Sequence, residues 1–285
     1  MSDRDAAQYL EQAKKKATAT GWFSGNKLDE AADLFAKAGN TFRLNQRWNE
    51  AGDAYMQQAG VLVRMNERDE AATAYLNASK VFKRISPQQA IAALQQAVEI
   101  FTDRGRFSAA ASNQEQLAEM YETDVGDIEK AMNAYEIAAD WFIGDDAQAR
   151  ANKCLLKAAT FAAQLGRFDK AIDRFESVAS NAATKEITKW SMREYLLKAG
   201  LCHLCVGDHV RTRQAIDRYE TLDITFGTTR ECAFLKDILD AVEAADLERF
   251  TAVVQDFDRL TRLDPWKTAL LLKVKNSISE EPDFT

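Results

Sequence analysis

Apolar and small residues fall on an almost even beat through the first two thirds of the chain. Ala31, Ala51, Ala71, Ala90, Ala110, Ala131, Ala151 and Ala171 recur every 19 to 21 residues. Four residues after most of them stands a large apolar group: Phe35, Tyr55, Tyr75, Leu94, Tyr135, Leu155 and Phe175. Eight residues after stands a small or short one: Gly39, Ala59, Ser79, Val98, Ala118, Ala139, Ala159 and Ala179. Positions i, i+4 and i+8 share one face of an α-helix. Each beat therefore predicts one helix with a small–large–small stripe, which lets neighbouring backbones approach closely and interlock. Units of this kind bury their stripes only by stacking on one another, which predicts a solenoid.

Start and stop signals agree with the beat. Asn26 is placed to cap a helix beginning at Lys27, Arg47 or Asn49 lies near the next start, and Ser86-Pro87 puts proline in a first helical turn. Short connectors are expected at Asn66-Glu67-Arg68, Gly105-Arg106, Val125-Gly126-Asp127 and Gly166-Arg167. A helix pair occupies about 40 residues, longer than the roughly 34 of a tetratricopeptide unit. After Ala179 the beat falters, Asn181 to Lys185 reads as a loop, and later segments are apolar on several faces, as in Tyr195-Leu196-Leu197 and Ala269 to Leu272. Such helices are surrounded by others. The expectation is an all-α protein of roughly 14 helices, at about 20 residues per helix. A tetratricopeptide-like, right-handed helical-hairpin solenoid, a twisted sheet of helices, is expected over 1–184. A C-terminal helical bundle with a short acidic tail is expected over 185–285.

Composition narrows the class. Only 12 Gly and 3 Pro occur among 285 residues, too few turn residues for a β-sandwich. No segment approaches the roughly 20 apolar residues of a membrane span. The start, MSDRDAAQYLEQAKKK, is charged and lacks the apolar core of a secretory signal. Four cysteines without regular spacing suit a reducing compartment, so the cytosol is the default location. A net charge of −7 argues against nucleic acid as a partner, because phosphate neutralisation needs a basic surface.

Catalytic and cofactor chemistry finds little support. Cys202-His203-Leu204-Cys205 holds one CxxC and a histidine inside an apolar helix, whereas a zinc site needs four ligands, usually from two such pairs. Two small core cysteines are the better reading. Gly21 to Lys27, GWFSGNK, resembles a worn phosphate loop but has short spacing and no GK[ST]. With two histidines in the chain, His-based catalysis has few possible members. No catalytic residue, metal site or cofactor is expected.

Other residues look used. Trp22 and Phe23 lie beside glycines between two amphipathic segments. They either staple back onto the second helix or enter a membrane interface, where tryptophan is favoured. Burying both rings gives at most about 2–3 kcal/mol each, so membrane contact through them alone is weak; Lys14, Lys15 and Lys16 would add attraction to anionic lipid. Lys153 and Lys157 are four apart and lie about 200° around the helix from the Ala151, Leu155, Ala159 stripe, toward an open face. They are either ordinary solvated lysines or part of a basic strip that Arg106, Lys198 and Arg230 extend. Solenoids present extended concave surfaces that suit elongated partners, and an acidic helical rod fits this one. Asp240, Glu243 and Asp246, with the tail Glu280-Glu281-Pro282-Asp283-Phe284-Thr285, supply an acidic end. The tail itself reads as a frayed terminus or a docking peptide.

Taken together these residues resemble the soluble NSF attachment protein family. The segments carrying the resemblance run along nearly the whole chain: GWFSGNKLDEAADLFAKAGNTFR, YETDVGDIEKAMNAYEIAADWF, ANKCLLKAATFAAQLGRFDKAIDRFE, LLKAGLCHLC, TRECAFLKDIL and RLDPWKTALLLKVK. The resemblance implies an adaptor without enzymatic activity. It implies that several copies wrap the four-helix complex of syntaxin-type and related SNAREs, with the C-terminal ends engaging the hexameric AAA+ ATPase NSF, which would disassemble that complex. It implies SNARE contacts for Lys153 and Lys157, with Arg106, Lys198 and Arg230 as companions. By the resemblance, Trp22 and Phe23 would fall in a membrane-touching loop near 21–25, on a protein peripheral to the cytosolic face of membranes. Asp208, Asp240, Glu243, Asp283 and Phe284 fall on the ATPase side. Two positions depart from the family pattern: Ser112 stands where many relatives carry a SNARE-binding lysine, and Phe284 where animal relatives carry leucine. The competing expectation is a general helical-repeat scaffold or chaperone cofactor that binds peptide tails; an all-α enzyme ranks behind both.

Overall fold

A computed structural model describes residues 2–18, 25–183 and 189–280. Trp22, Phe23, Asp283 and Phe284 lie outside the described residues. Among the described residues the regular structure is entirely helical, with fourteen α-helices. Two compact units divide the chain, Met1–Ala151 and Asn152–Thr285. The division falls inside one helix and does not coincide with the loss of sequence regularity near 184.

The first unit contains α1 (Asp3–Ala17), α2 (Gly25–Leu44), α3 (Trp48–Arg64), α4 (Arg68–Phe82), α5 (Pro87–Asp103), α6 (Phe107–Met120), α7 (Ile128–Gly144) and the first turn of α8 (Gln148–Gln164). From α1 through α7 each helix packs chiefly on the helices next to it in sequence. The stripes form these contacts. Ala31, Phe35, Ala51, Tyr55, Ala59, Ala90, Leu94, Val98, Ala131, Tyr135 and Ala139 are all buried. The small positions are needed for close approach: a Cβ on Gly52 of α3 would lie 2.3 Å from the Phe82 ring of α4. On α6 the large position is Gln114, and it too is buried, beside buried Asn113 and Glu115.

Five of the connectors share one turn. The residue after the cap is left-handed at Gln46 (φ 61°), Asn66 (65°), Gly105 (67°), Asp146 (55°) and Gly166 (72°). The next amide then reaches back to a carbonyl of the preceding helix, as in Arg47 N to Phe42 O at 2.8 Å and Arg106 N to Phe101 O at 2.8 Å. This pairing satisfies carbonyls that a helix end leaves open. α5 starts as its sequence predicts, with Ser86 Oγ accepting from the Gln89 amide at 3.5 Å and Pro87 in the first turn. α2 departs from the expectation. It begins at Gly25, so Asn26 lies within the helix and does not cap a start at Lys27.

The second unit holds the rest of α8, then α9 (Phe168–Ala183), α10 (Lys189–Val206), α11 (His209–Leu222), α12 (Arg230–Glu243), α13 (Leu247–Leu260) and α14 (Pro265–Glu280). The stripe persists through α8 and α9, where Ala151, Leu155, Ala159, Ala171, Phe175 and Ala179 are buried. α10 is the central helix of the remainder, packing on α9, α11, α12 and α14. That accounts for apolar residues on several of its faces: Met192, Leu196, Leu197, Ala199, Leu201, Cys202, His203 and Leu204 are all buried. Cys202 and His203 are core residues, and His203 Nε2 lies 3.1 Å from Glu176 Oε1 of α9. The Tyr219 hydroxyl of α11 donates to the same oxygen at 2.6 Å. Burial pushes the Glu176 carboxyl upward, but these hydrogen bonds outweigh it and hold the carboxyl below its ordinary value.

Candidate partner-binding surfaces

α8 begins after the left-handed turn at Asp146, and its buried stripe turns Lys153 outward; Lys153 is exposed and Lys157 half-buried. The Lys157 ammonium lies 5.9 Å from the centroid of Phe161, one turn further along. Lys198 of α10 is held more tightly. Its ammonium stands 5.9 Å from Phe175 and 5.5 Å from Trp266, two rings that meet edge to face at 5.8 Å. Glu194, one turn earlier on α10, lies 3.7 Å from it. Trp266 also joins α14 to α8, since its indole N–H donates to the Thr160 carbonyl at 3.1 Å. One tryptophan thus links the helix bearing Lys157 to the ring cage of Lys198.

A second cation beneath this region has a structural explanation. Lys267 is buried and pairs with Glu194 at 2.6 Å and Asp264 at 3.2 Å. Burial alone would push its ammonium downward, but the two carboxylates outweigh burial and raise it above the ordinary lysine value. Lys267 therefore stays charged and ties α14 to α10.

Arg230 opens α12. Its guanidinium lies 5.3 Å from Phe257 and donates to Thr261 Oγ1 at 2.8 Å. It borders a hollow of about 320 Å³ between α12 and α13, with Asp237, Asp256 and Arg259 also on the rim. Arg106 belongs to the first unit, where it pairs with Asp69 at 2.9 Å and lies over Phe101. Arg106, Lys157, Lys198 and Arg230 each lean on an aromatic ring, which keeps the charge near the surface while the stem packs.

The carboxylates of Asp240 and Glu243 carry countercharges that their own sequence did not announce. Arg213 of α11 donates to Asp240 at 3.0 Å and to Glu243 at 2.6 Å, and Arg249 of α13 lies 3.5 Å from Asp240. The surface there is mixed in sign rather than uniformly acidic. Asp208 is a helix cap, accepting from the Arg211 amide at 2.9 Å. Ser112 lies under the guanidinium of Arg150, which donates to its hydroxyl at 2.9 Å. Arg150 went unnoticed in the sequence although it stands three residues before Lys153; i, i+3, i+7 spacing was the available signal.

Among the described residues no helix is long and apolar enough to cross a membrane, and no group of three or more His, Cys, Asp or Glu is arranged to hold a metal ion. What the surface offers is a set of fixed charges on stacked helices, the class of a helical-repeat attachment scaffold.

Comparison with known proteins assigns the family. Residues 4–279 match the model of the soluble NSF attachment proteins. A probable vesicular-fusion protein sec17 homolog of Schizosaccharomyces pombe is 41% identical over 283 residues, covering 98% of both chains. Vesicular-fusion protein SEC17 of Coprinopsis cinerea is 42% identical over 289 residues, covering 100% of both. Human alpha-soluble NSF attachment protein is 38% identical over 287 residues, covering 99% of this chain and 97% of that one. The chain belongs to the soluble NSF attachment protein family, whose members are vesicle-fusion adaptors rather than enzymes.

Proposed function

We propose that this chain binds assembled four-helix SNARE complexes and recruits and stimulates the hexameric AAA+ ATPase NSF, so that SNAREs are disassembled and recycled in vesicle fusion and intracellular transport. The observation that carries the reading is membership of the attachment family along residues 4–279. The outward lysines of α8 give that membership a surface to work through. Lys153 and Lys157 contact the SNARE rod, with Arg106, Lys198 and Arg230 as further cations. Asp208, Asp240, Glu243, Asp283 and Phe284 face the ATPase. Trp22 and Phe23 touch the membrane, and the protein works at the cytosolic face as a weakly held peripheral component.

Energetics favour this division of labour. An exposed ion pair contributes only about 0.2–1 kcal/mol, so one adaptor holds a rod weakly. Copies gathered on one rod, one membrane and one hexamer multiply their contacts through effective concentration. At the ATPase side, Arg213 and Arg249 already engage the carboxylates, so a basic partner exchanges with them rather than meeting bare charge.

The test is a pull-down on a soluble SNARE bundle with Lys153→Glu and Lys157→Glu combined. Binding is expected to disappear with helicity and melting unchanged. Retained binding removes the lysine strip from the account.

A further inference from the structure

The Arg150–Glu115 pair in the first unit joins an exposed cation to a buried carboxylate. Its two ends differ sharply in exposure: the Arg150 side chain is 48% exposed and that of Glu115 only 8%. Nη2 donates to Glu115 Oε2 at 2.7 Å, Nη1 donates to Ser112 Oγ at 2.9 Å, and the guanidinium carbon lies 4.1 Å from the centroid of buried Phe142. Ring, hydroxyl and carboxylate together fix the guanidinium plane. The pair is neutral in sum, yet its negative end is sunk between helices and its positive end faces outward. It acts as an oriented dipole on the surface, positive side out.

We propose that Arg150 is a further binding residue for an acidic helical partner, positioned by Ser112, Glu115 and Phe142, and that it continues the lysine strip of α8 by one helical turn. Residues 150, 153 and 157 follow the i, i+3, i+7 spacing of a single helical face. A guanidinium carries five N–H donors in a planar fork, so two bonds to the protein leave donors for a partner carboxylate. Because the fork is already immobilised, engaging it costs less side-chain freedom than engaging a lysine on a flexible stem. Position 112 then needs no charge of its own. The hydroxyl of Ser112 steers a cation delivered from α8.

This inference rests on the SNARE-adaptor reading, and the experiment keeps the two apart. Binding to a soluble four-helix SNARE bundle is measured over a range of salt for wild type, for Lys153→Glu with Lys157→Glu, and for Arg150→Gln with Glu115→Gln. The last variant removes one charge of each sign, so net charge is unchanged and the buried position keeps a hydrogen-bonding amide. It is expected to lose about 3- to 10-fold in affinity and to show a shallower salt dependence, at unaltered melting temperature. Adding Ser112→Lys to it is expected to restore affinity by returning a cation to the same place from α6. Wild-type affinity and salt slope in the Gln/Gln variant, while the lysine reversals abolish binding, overturns the role of Arg150 and leaves the adaptor reading intact. A Gln/Gln variant that melts early and is not rescued by Ser112→Lys also overturns it, because the pair is then structural. Wild-type binding by the lysine reversals contradicts the adaptor reading instead. A loss confined to anionic vesicles, with bundle binding unchanged, replaces the acidic protein partner with lipid and overturns the proposal.

Discussion

Two glycines on α3 meet opposite surroundings, so one substitution made at each has opposite expected signs. A Cβ on Gly52 would lie 2.3, 2.4 and 2.7 Å from three carbons of the Phe82 ring, while a Cβ on Gly60 meets nothing within 4 Å. Alanine is favoured over glycine in a helix interior by about 0.8–1.0 kcal/mol, a gain available at both positions. Overpacking a filled core costs about 1–3 kcal/mol. The Phe82 ring is rigid and buried, so it cannot swing aside, and the upper end of that range applies. Gly52→Ala is therefore expected to destabilise by about 2 kcal/mol and Gly60→Ala to stabilise by about 0.8–1.0 kcal/mol. At about 2–4 °C per kcal/mol for a unit of this size, melting falls by about 4–8 °C in the first case and rises by about 2–4 °C in the second. Phe82→Leu placed with Gly52→Ala is expected to recover more than about 1 kcal/mol through direct coupling. Thermal and urea unfolding followed by circular dichroism read all three. Equal shifts of the same sign at positions 52 and 60 would refute close backbone approach as the reason for the small positions in the stripe.

Two other outcomes follow from the second unit and from the loop near 21–25. Glu176 is held below its ordinary value, so its contribution to stability is present above that value and lost as pH falls through the folded value. Glu176→Gln is expected to cost about 2 kcal/mol at pH 7, and its deficit relative to wild type should shrink toward pH 3; a deficit independent of pH in urea titrations contradicts the charged network. Trp22→Ser with Phe23→Ser is expected to slow SNARE disassembly on liposomes and to leave it nearly unchanged on detergent-soluble complexes; equal loss in both settings makes the rings packing groups.

The helical fold was legible because its signal is local. Ala31, Phe35 and Gly39 carry the stripe within one helix, and Ser86-Pro87 marks a start by chemistry confined to its first turn. The connectors were only partly legible. Gly105 and Gly166 announce left-handed turns, but Gln46, Asp146 and Ala245 adopt the same conformation without the residue that favours it. The site was visible as charges and invisible as pairs. Lys153 and Lys157 follow from spacing on one helix, whereas the partners of Arg150 lie 35 and 38 positions away and those of Arg213 lie 27 and 30 away. Pairs across stacked helices depend on how the stripes interlock, which periodicity along one strand of sequence does not encode. The bent pattern at Gln114 is another instance: a polar residue at a large apolar position is buried beside Asn113 and Glu115 on a helix whose own pattern gave no reason for it.

The most direct measurement is reconstituted disassembly of a SNARE bundle by the purified hexameric ATPase, with ATP, in the presence and absence of this chain. Disassembly should require the chain and should fail with Lys153→Glu and Lys157→Glu combined, while that variant remains folded. Equal disassembly without the chain, or full activity from the lysine-reversed variant, would contradict an adaptor that couples the two partners through its basic helix face.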